Sequence, residues 1–303
     1  MAARVGQPFG SLVLALSVTV IEVSLIVSVM IAGGNESAGL ARDTVFAAVM
    51  IVCNGIVGLC LLAGGMRHKE QGFQLQGASA ALSVLIALTT LTMIFPDVTT
   101  SSPGPTFNGP QLMFAGVVSL FLYGAFVFVQ TVRHRDYRLS AGEDGEVHVV
   151  PSNVMALPSA GLLLVSLVAV VALAKALTPT VEGFISREGA PKSVMGIVIA
   201  GLVLLPNGVA AFRAARANHL QTSMNLALGS ALASIGLTIP AVVAVAILFH
   251  EPLTLGLDIK EVVLLLVTLM LSQSTLGTGR TTVLQGMVHL VLFATLLFLA
   301  VVP

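Results

Sequence analysis

Nine stretches of about twenty nearly unbroken apolar residues leave this chain little choice of environment. They run over 10–32, 44–65, 75–95, 111–132, 158–178, 193–212, 223–249, 261–276 and 283–302. A helix needs roughly 20 such residues to cross the hydrocarbon core of a bilayer. Only 9 % of the 303 residues are charged, against roughly a quarter in soluble domains, too few to cover a water-facing globule. The expected fold class is therefore an all-α polytopic membrane protein, with the lipid bilayer as its first partner. The first stretch is too long for a signal peptide, carries Glu22 in its middle and lacks a small-x-small cleavage site. Lys+Arg 14 against Asp+Glu 14 cancel, which removes a polyanion-binding surface and with it nucleic acid as a partner. Cys53 and Cys60 lie on one predicted helix, about 10 Å apart along its axis, too far for a disulfide. They read as small core residues.

Most links between the stretches are short. One is long and hydrophilic, opening with Arg133-His134-Arg135-Asp136-Tyr137-Arg138 and continuing through Glu143-Asp144-Gly145-Glu146. It divides the chain into a four-span half (1–132), a charged linker (133–157) and a five-span half (158–303). An excess of Lys and Arg marks the cytoplasmic side. With the N-terminus inside, nine basic residues (Arg4, Arg67, Lys69, Arg133, Arg135, Arg138, Arg213, Arg216, Arg280) face inward and five (Arg42, Lys175, Arg187, Lys192, Lys260) face outward. That predicts a cytoplasmic N-terminus and linker. The hairpins 10–65 and 193–249 then run in opposite senses. Thr44 precedes Gly58-Leu59 by the same fourteen residues that separate Thr222 from Gly236-Leu237. Topology and echo together point to an inverted repeat, the plan of many secondary transporters, whose ion sites lie near the bilayer midplane. One helix precedes the hairpin in the second half and none does in the first, so the first repeat is expected to lack its N-terminal helix.

Glu22 is the sharpest polar feature, about 18 Å along its helix from Gly10 and so near mid-membrane. A charge at that depth costs at least ~2.5 kcal/mol. A bound cation or a proton on the carboxyl relieves the cost, so such a group can exchange one for the other; a permanently protonated packing glutamate is the alternative. Thr19, one turn earlier on the same face, adds an oxygen or simply packs. Asn54 offers an amide carbonyl, a suitable ligand for a hard cation, or an interhelical hydrogen bond. Pro206-Asn207-Gly208 is expected to interrupt the sixth span, and a broken helix at that depth is tolerated where it lines a polar cavity. Ser230 and Ser234 stand one turn apart in the next span and face the same cavity or a small-residue helix contact. Gln285 and His289 share a face of the last span, where His289 relays protons or packs as a satisfied histidine. Gly277-Thr278-Gly279-Arg280-Thr281 lacks the lysine and preceding strand of a phosphate loop. With no HExxH, paired-cysteine, GxSxG or dinucleotide-binding pattern, nothing points to an enzyme or a resident cofactor.

Several of these segments resemble one family. Gly6-Gln7-Pro8-Phe9-Gly10 through Ile21-Glu22-Val23, and Arg42-Asp43-Thr44 through Asn54-Gly55, are similar to the first repeat of ChaA-type calcium/proton antiporters of the calcium/cation antiporter superfamily. Leu204-Leu205-Pro206 through Asn225–Ser230 and on to Pro240 resembles the second repeat. Gln130–His134 and Gly279–Gly286 look like that family too. The resemblance implies an exchanger that moves Ca2+, in some members Na+ or K+, against protons, through two inverted five-helix repeats that each supply an acidic residue. Glu22 corresponds to the first of these. In place of the family's Pro-Glu-Gly this chain has Pro206-Asn207-Gly208, an amide that coordinates a cation but does not titrate. Family members also carry further N-terminal helices, in line with the uneven halves. The expectation is thus an inner-membrane Ca2+/H+ antiporter whose cation and proton site comprises Glu22, Asn54, Asn207, Thr19, Ser230 and Ser234, with Glu22 and Asn207 as metal ligands. The alternative is a truncated or degenerate relative that no longer transports. Calcium usually takes six to eight oxygens, often with more than one carboxylate, so a single carboxylate predicts weak calcium binding or preference for a monovalent ion.

Overall fold

In hydrocarbon a backbone must satisfy its own hydrogen bonds, and the long apolar stretches accordingly fold as helices. A computed structural model describes residues 19–30, 38–130 and 193–302, with isolated positions between 158 and 176. Its helices are α1 (Thr19–Met30), α2 (Leu40–His68), α3 (Leu75–Val98) and α4 (Gly109–Phe128) from the first half. The second half contributes α5 (Ser193–Arg216), α6 (Leu220–Phe249), α7 (Ile259–Leu276) and α8 (Val283–Val301). Seven of these described helices are long and apolar enough to cross a membrane, α1 being the shorter eighth. They coincide with eight of the nine expected spans. The ninth, 158–178, and the charged linker fall outside the described residues apart from isolated positions.

Burial sorts the helices. The most apolar window of α2 is 89 % buried and that of α8 only 22 %, so α2 runs through the middle while α8 turns Leu284, Val291, Phe298 and Val301 outward. α4 does the same with Phe114, Val117 and Phe121. These outward side chains belong against lipid tails, since water would penalise their exposed area.

The contacts repeat in a crossed pattern that the inverted topology predicts. α2 packs closely on α5 and α8; in the other half α6 packs on α4, and it meets α1 through Ser234 and Glu22. The two echoing glycines sit at the equivalent crossings. A Cβ on Gly58 would lie 3.0 Å from Leu290 of α8, and one on Gly236 would lie 2.6 Å from the Tyr123 Cβ of α4. Small residues let membrane helices approach this closely, which is where their packing energy comes from. Each half therefore completes the other.

Two faces close the bundle. On the first, strand β1 (Gln71–Gly72) pairs antiparallel with β2 (Arg280–Thr281), and the Gln71 amide donates to Ala215 O and Asn218 Oδ1, both at 2.9 Å. On the second, Thr254 N donates to Ala38 O, Gly256 N to Pro105 O and Leu257 N to Asp97 Oδ2, each at 3.0 Å. Every described link thus lies on the face that alternating spans assign to it. Among described residues the first face carries Arg67, Lys69, Arg213, Arg216 and Arg280, and the second carries Arg42 and Lys260.

One expectation is corrected. Pro206-Asn207-Gly208 does not break its span: α5 is helical from Ser193 through Pro206 to Arg216. Proline deletes one donor to the carbonyl four residues back and leaves the neighbouring bonds intact, which a well-packed helix absorbs. Irregular turns lie elsewhere: Ile51–Ile56 of α2 forms a π-helical segment centred on Asn54, and Thr90–Ile94 of α3 forms another.

Candidate cation site

Helix α6 is the platform on which the candidate residues meet. Ser230 and Ser234 are four residues apart, so they share a face about 6 Å apart along the axis. Glu22 reaches Ser234 from α1, and its Oε1 accepts the serine hydroxyl. Asn207 reaches Ser230 from α5, its amide Nδ2 donating to the serine oxygen at 2.5 Å. Thus α1 and α5, which correspond under the inverted repeat, each place a polar side chain on the same stripe. Glu22 is 2 % exposed and Asn207 4 % exposed, and both serines are buried.

A carboxylate removed from water is costly unless it is paired or hydrogen-bonded. The Ser234 hydroxyl supplies one bond. The Asn207 carbonyl Oδ1 is buried without a hydrogen-bond partner. Buried polar atoms normally find one, and the exceptions call for an explanation such as an ion. Carboxylate, amide carbonyl and two hydroxyl oxygens make a hard-oxygen donor set of the kind that suits alkali and alkaline-earth cations. Among the described residues Glu22 is the only carboxylate in this set. Thr19 is buried one turn before Glu22.

Asn54 belongs to a different network. Its Nδ2 donates to Thr268 Oγ1 of α7 at 2.9 Å, and its Oδ1 faces His289 Nδ1 of α8 at 3.2 Å. His289 Nε2 in turn meets Thr275 Oγ1 at 3.1 Å. The structure therefore brings Glu22, Ser234, Ser230 and Asn207 together and holds Asn54 with His289. His289 is itself fully buried. Gln285, by contrast, caps α8, its Oε1 accepting from Thr282 N at 2.8 Å.

Sequence reasoning missed Thr268 and Thr275. With Ser272, also buried, they form an i, i+4, i+7 polar stripe on α7. That spacing in an otherwise apolar run is the pattern that would have found them. Both cysteines are free and buried, as expected.

Residues 2–132 and 158–302 match the family described as sodium/calcium exchanger protein. The chain is 49 % identical to Sinorhizobium fredii y4hA, a protein named for ionic transport, over all of this chain and 83 % of that one. It is 36 % identical to the Escherichia coli sodium-potassium/proton antiporter ChaA, over 98 % of this chain and 81 % of the relative. Among solved structures, the H+/Ca2+ exchanger CAX superposes with a TM-score of 0.72 at 15 % identity, covering 95 % of this chain and 72 % of that one.

Proposed function

The chain belongs to the sodium/calcium exchanger protein family, and from that premise we propose that it is a cation/proton antiporter working through Glu22 and the α6 serine stripe. The observation that carries this is the convergence of Glu22 on Ser234 and of Asn207 on Ser230, from corresponding helices of the two repeats. A cation and a proton compete for the same Glu22 oxygens, since either one neutralises the buried carboxylate. Only the cation also recruits the free Asn207 carbonyl. An empty, deprotonated site is the costly state, which couples the release of one ligand to the arrival of the other. Movement of α1 and α5 against the rest of the bundle would expose the stripe to each side in turn, as inverted-repeat transporters do.

Calcium is the cation we assign first, in keeping with the family. Exchange of Na+ or K+ is the second reading, favoured by the single carboxylate: one proton for one monovalent ion leaves the site's charge unchanged. The basic excess on the face that carries Arg67, Lys69, Arg213, Arg216 and Arg280 supports placing that face, and the N-terminus, in the cytoplasm. A bacterial inner membrane is the corresponding location.

The test is an ion scan in everted membrane vesicles carrying an imposed proton gradient. Addition of Ca2+, Na+ or K+ should dissipate the gradient in vesicles containing the protein and not in vesicles without it. Equal responses to every ion in both preparations would overturn the assignment.

A further inference from the structure

The buried network on α7 and α8 does not touch the serine stripe, yet it reaches the same part of the bundle through α2. We infer that His289 is a positioning residue of the exchange site, acting through Asn54 and the π-helical turn of α2. The inference rests on the antiport function proposed above.

The chain of donors runs in one direction. Asn54 presents its carbonyl to the histidine, and a carbonyl accepts only, so the ring proton sits on His289 Nδ1. His289 Nε2 is then an acceptor and takes the Thr275 hydroxyl. At the other end the Asn54 amide donates to Thr268, which leaves the Thr268 hydroxyl to donate to Met50 Sδ at 3.4 Å. Five side chains from α2, α7 and α8 are thereby fixed with every principal donor and acceptor used. Membrane helices exploit such buried hydrogen bonds as specific ties between neighbours.

What they tie down is an irregular place in the fold. A π-helical turn is rare, and where it occurs it frequently marks a functional site. Of the π turns in the described residues, the one in α2 spans Ile51–Ile56 with Asn54 in its middle, and it is the one this network holds. On the α8 side, Gly55 lies against the ring of Phe293; on the α5 side, Ile56 packs on Gly208, where an added Cβ would be 3.1 Å from its Cδ1. Gly208 follows Asn207, the residue that offers its free carbonyl to the site. The path is therefore His289 to Asn54, Asn54 to the π turn, Ile56 to Gly208, and so to Asn207. Loosening the turn shifts the Asn207 carbonyl without removing any ligand.

Purified protein in proteoliposomes tests this by kinetics of cation-driven proton movement. His289→Leu should raise the KM for the cation about tenfold while leaving the maximal rate within about twofold, because a donor to a buried amide is lost and no ligand is. His289→Asn, which keeps a side-chain N–H near the Nδ1 position, should restore most of the KM. Because the effect passes through Asn54, His289→Leu added to Asn54→Ala should raise the KM no further than Asn54→Ala alone. Unchanged KM in His289→Leu, or additive losses in the double variant, would overturn the inference. Should His289→Leu fail to insert, Thr275→Val, which removes only the far hydroxyl, should raise the KM several-fold, and a wild-type KM there would overturn it equally. Glu22→Gln is run beside them. If it exchanges normally, the Glu22 site on which the positioning role depends fails; if it is inactive while His289→Leu is normal, only the positioning role fails.

Discussion

Replacing Asn207 with glutamate adds a second carboxylate to the proposed site, and the structure sets the size of the effect. Ser230 and Ser234 are one helical turn apart on α6, and Asn207 and Glu22 each bond to one of them. A cation held between these side chains sits within about 7 Å of both, given a rise of about 6 Å per four residues. At an effective dielectric of 20, a new unit charge about 7 Å away interacts with each cation charge by about 2 kcal/mol. Calcium gains that twice and potassium once, so the difference between them is about 2 kcal/mol, or roughly thirtyfold in relative affinity. Asn207→Glu should therefore raise the calcium-over-potassium preference by up to about thirtyfold, read as the ratio of KM values in the vesicle assay. Repulsion between the introduced carboxylate and Glu22 lowers the gain for both ions alike and leaves the ratio standing. Equal shifts for the two cations, or none, would refute the placement of Asn207 at the site.

Other substitutions probe separate links. Ser230→Ala leaves the Asn207 amide donor unpaired in a dry site and should cost about 1–3 kcal/mol, seen as a lower melting temperature in detergent and a higher KM for the cation. Gly286→Ala places a Cβ 2.5 Å from Leu62 N and 2.9 Å from Gly58 O. Both are backbone atoms, so α8 must move off α2, and overpacking of this kind should cost about 1–3 kcal/mol of thermal stability. Gln71→Leu removes the amide bonds to Ala215 O and Asn218 Oδ1 that tie the α2–α3 link to the α5–α6 link. It should lower stability by about 1–3 kcal/mol, about 0.5–1.5 for each bond lost, with little effect on KM.

Much of the fold was legible because a bilayer imposes one dominant rule: length of apolar run sets span, and alternation sets the side of each link. The observed contacts of the α2–α3, α5–α6 and α7–α8 links on one face follow from that count alone. Glu22, Asn207, Ser230 and Ser234 were legible for a related reason, since a polar atom in hydrocarbon stands out and has to be satisfied. What they bond to was not legible. Composition says that Asn54 needs partners but not that Thr268 and His289 supply them, because the partners come from helices more than 200 residues away. Pro206 misled for the opposite reason. It removes a single hydrogen bond, and the packing of α5 on α2 and α6 keeps the helix continuous. The π turn of α2 has no proline or charge to announce it; it shows only in how α2 accommodates neighbours on both sides.

Glu22 carries the central claim, and its conversion to glutamine keeps the shape and the Ser234 partner while abolishing the charge that proton and cation share. Proteoliposomes loaded with a pH indicator and a calcium indicator, given opposed gradients, report both fluxes in one trace. The wild-type protein should show proton and cation movements that start together and stop together, and Glu22→Gln should show neither. Coupled fluxes that persist in Glu22→Gln at the wild-type rate would contradict the account.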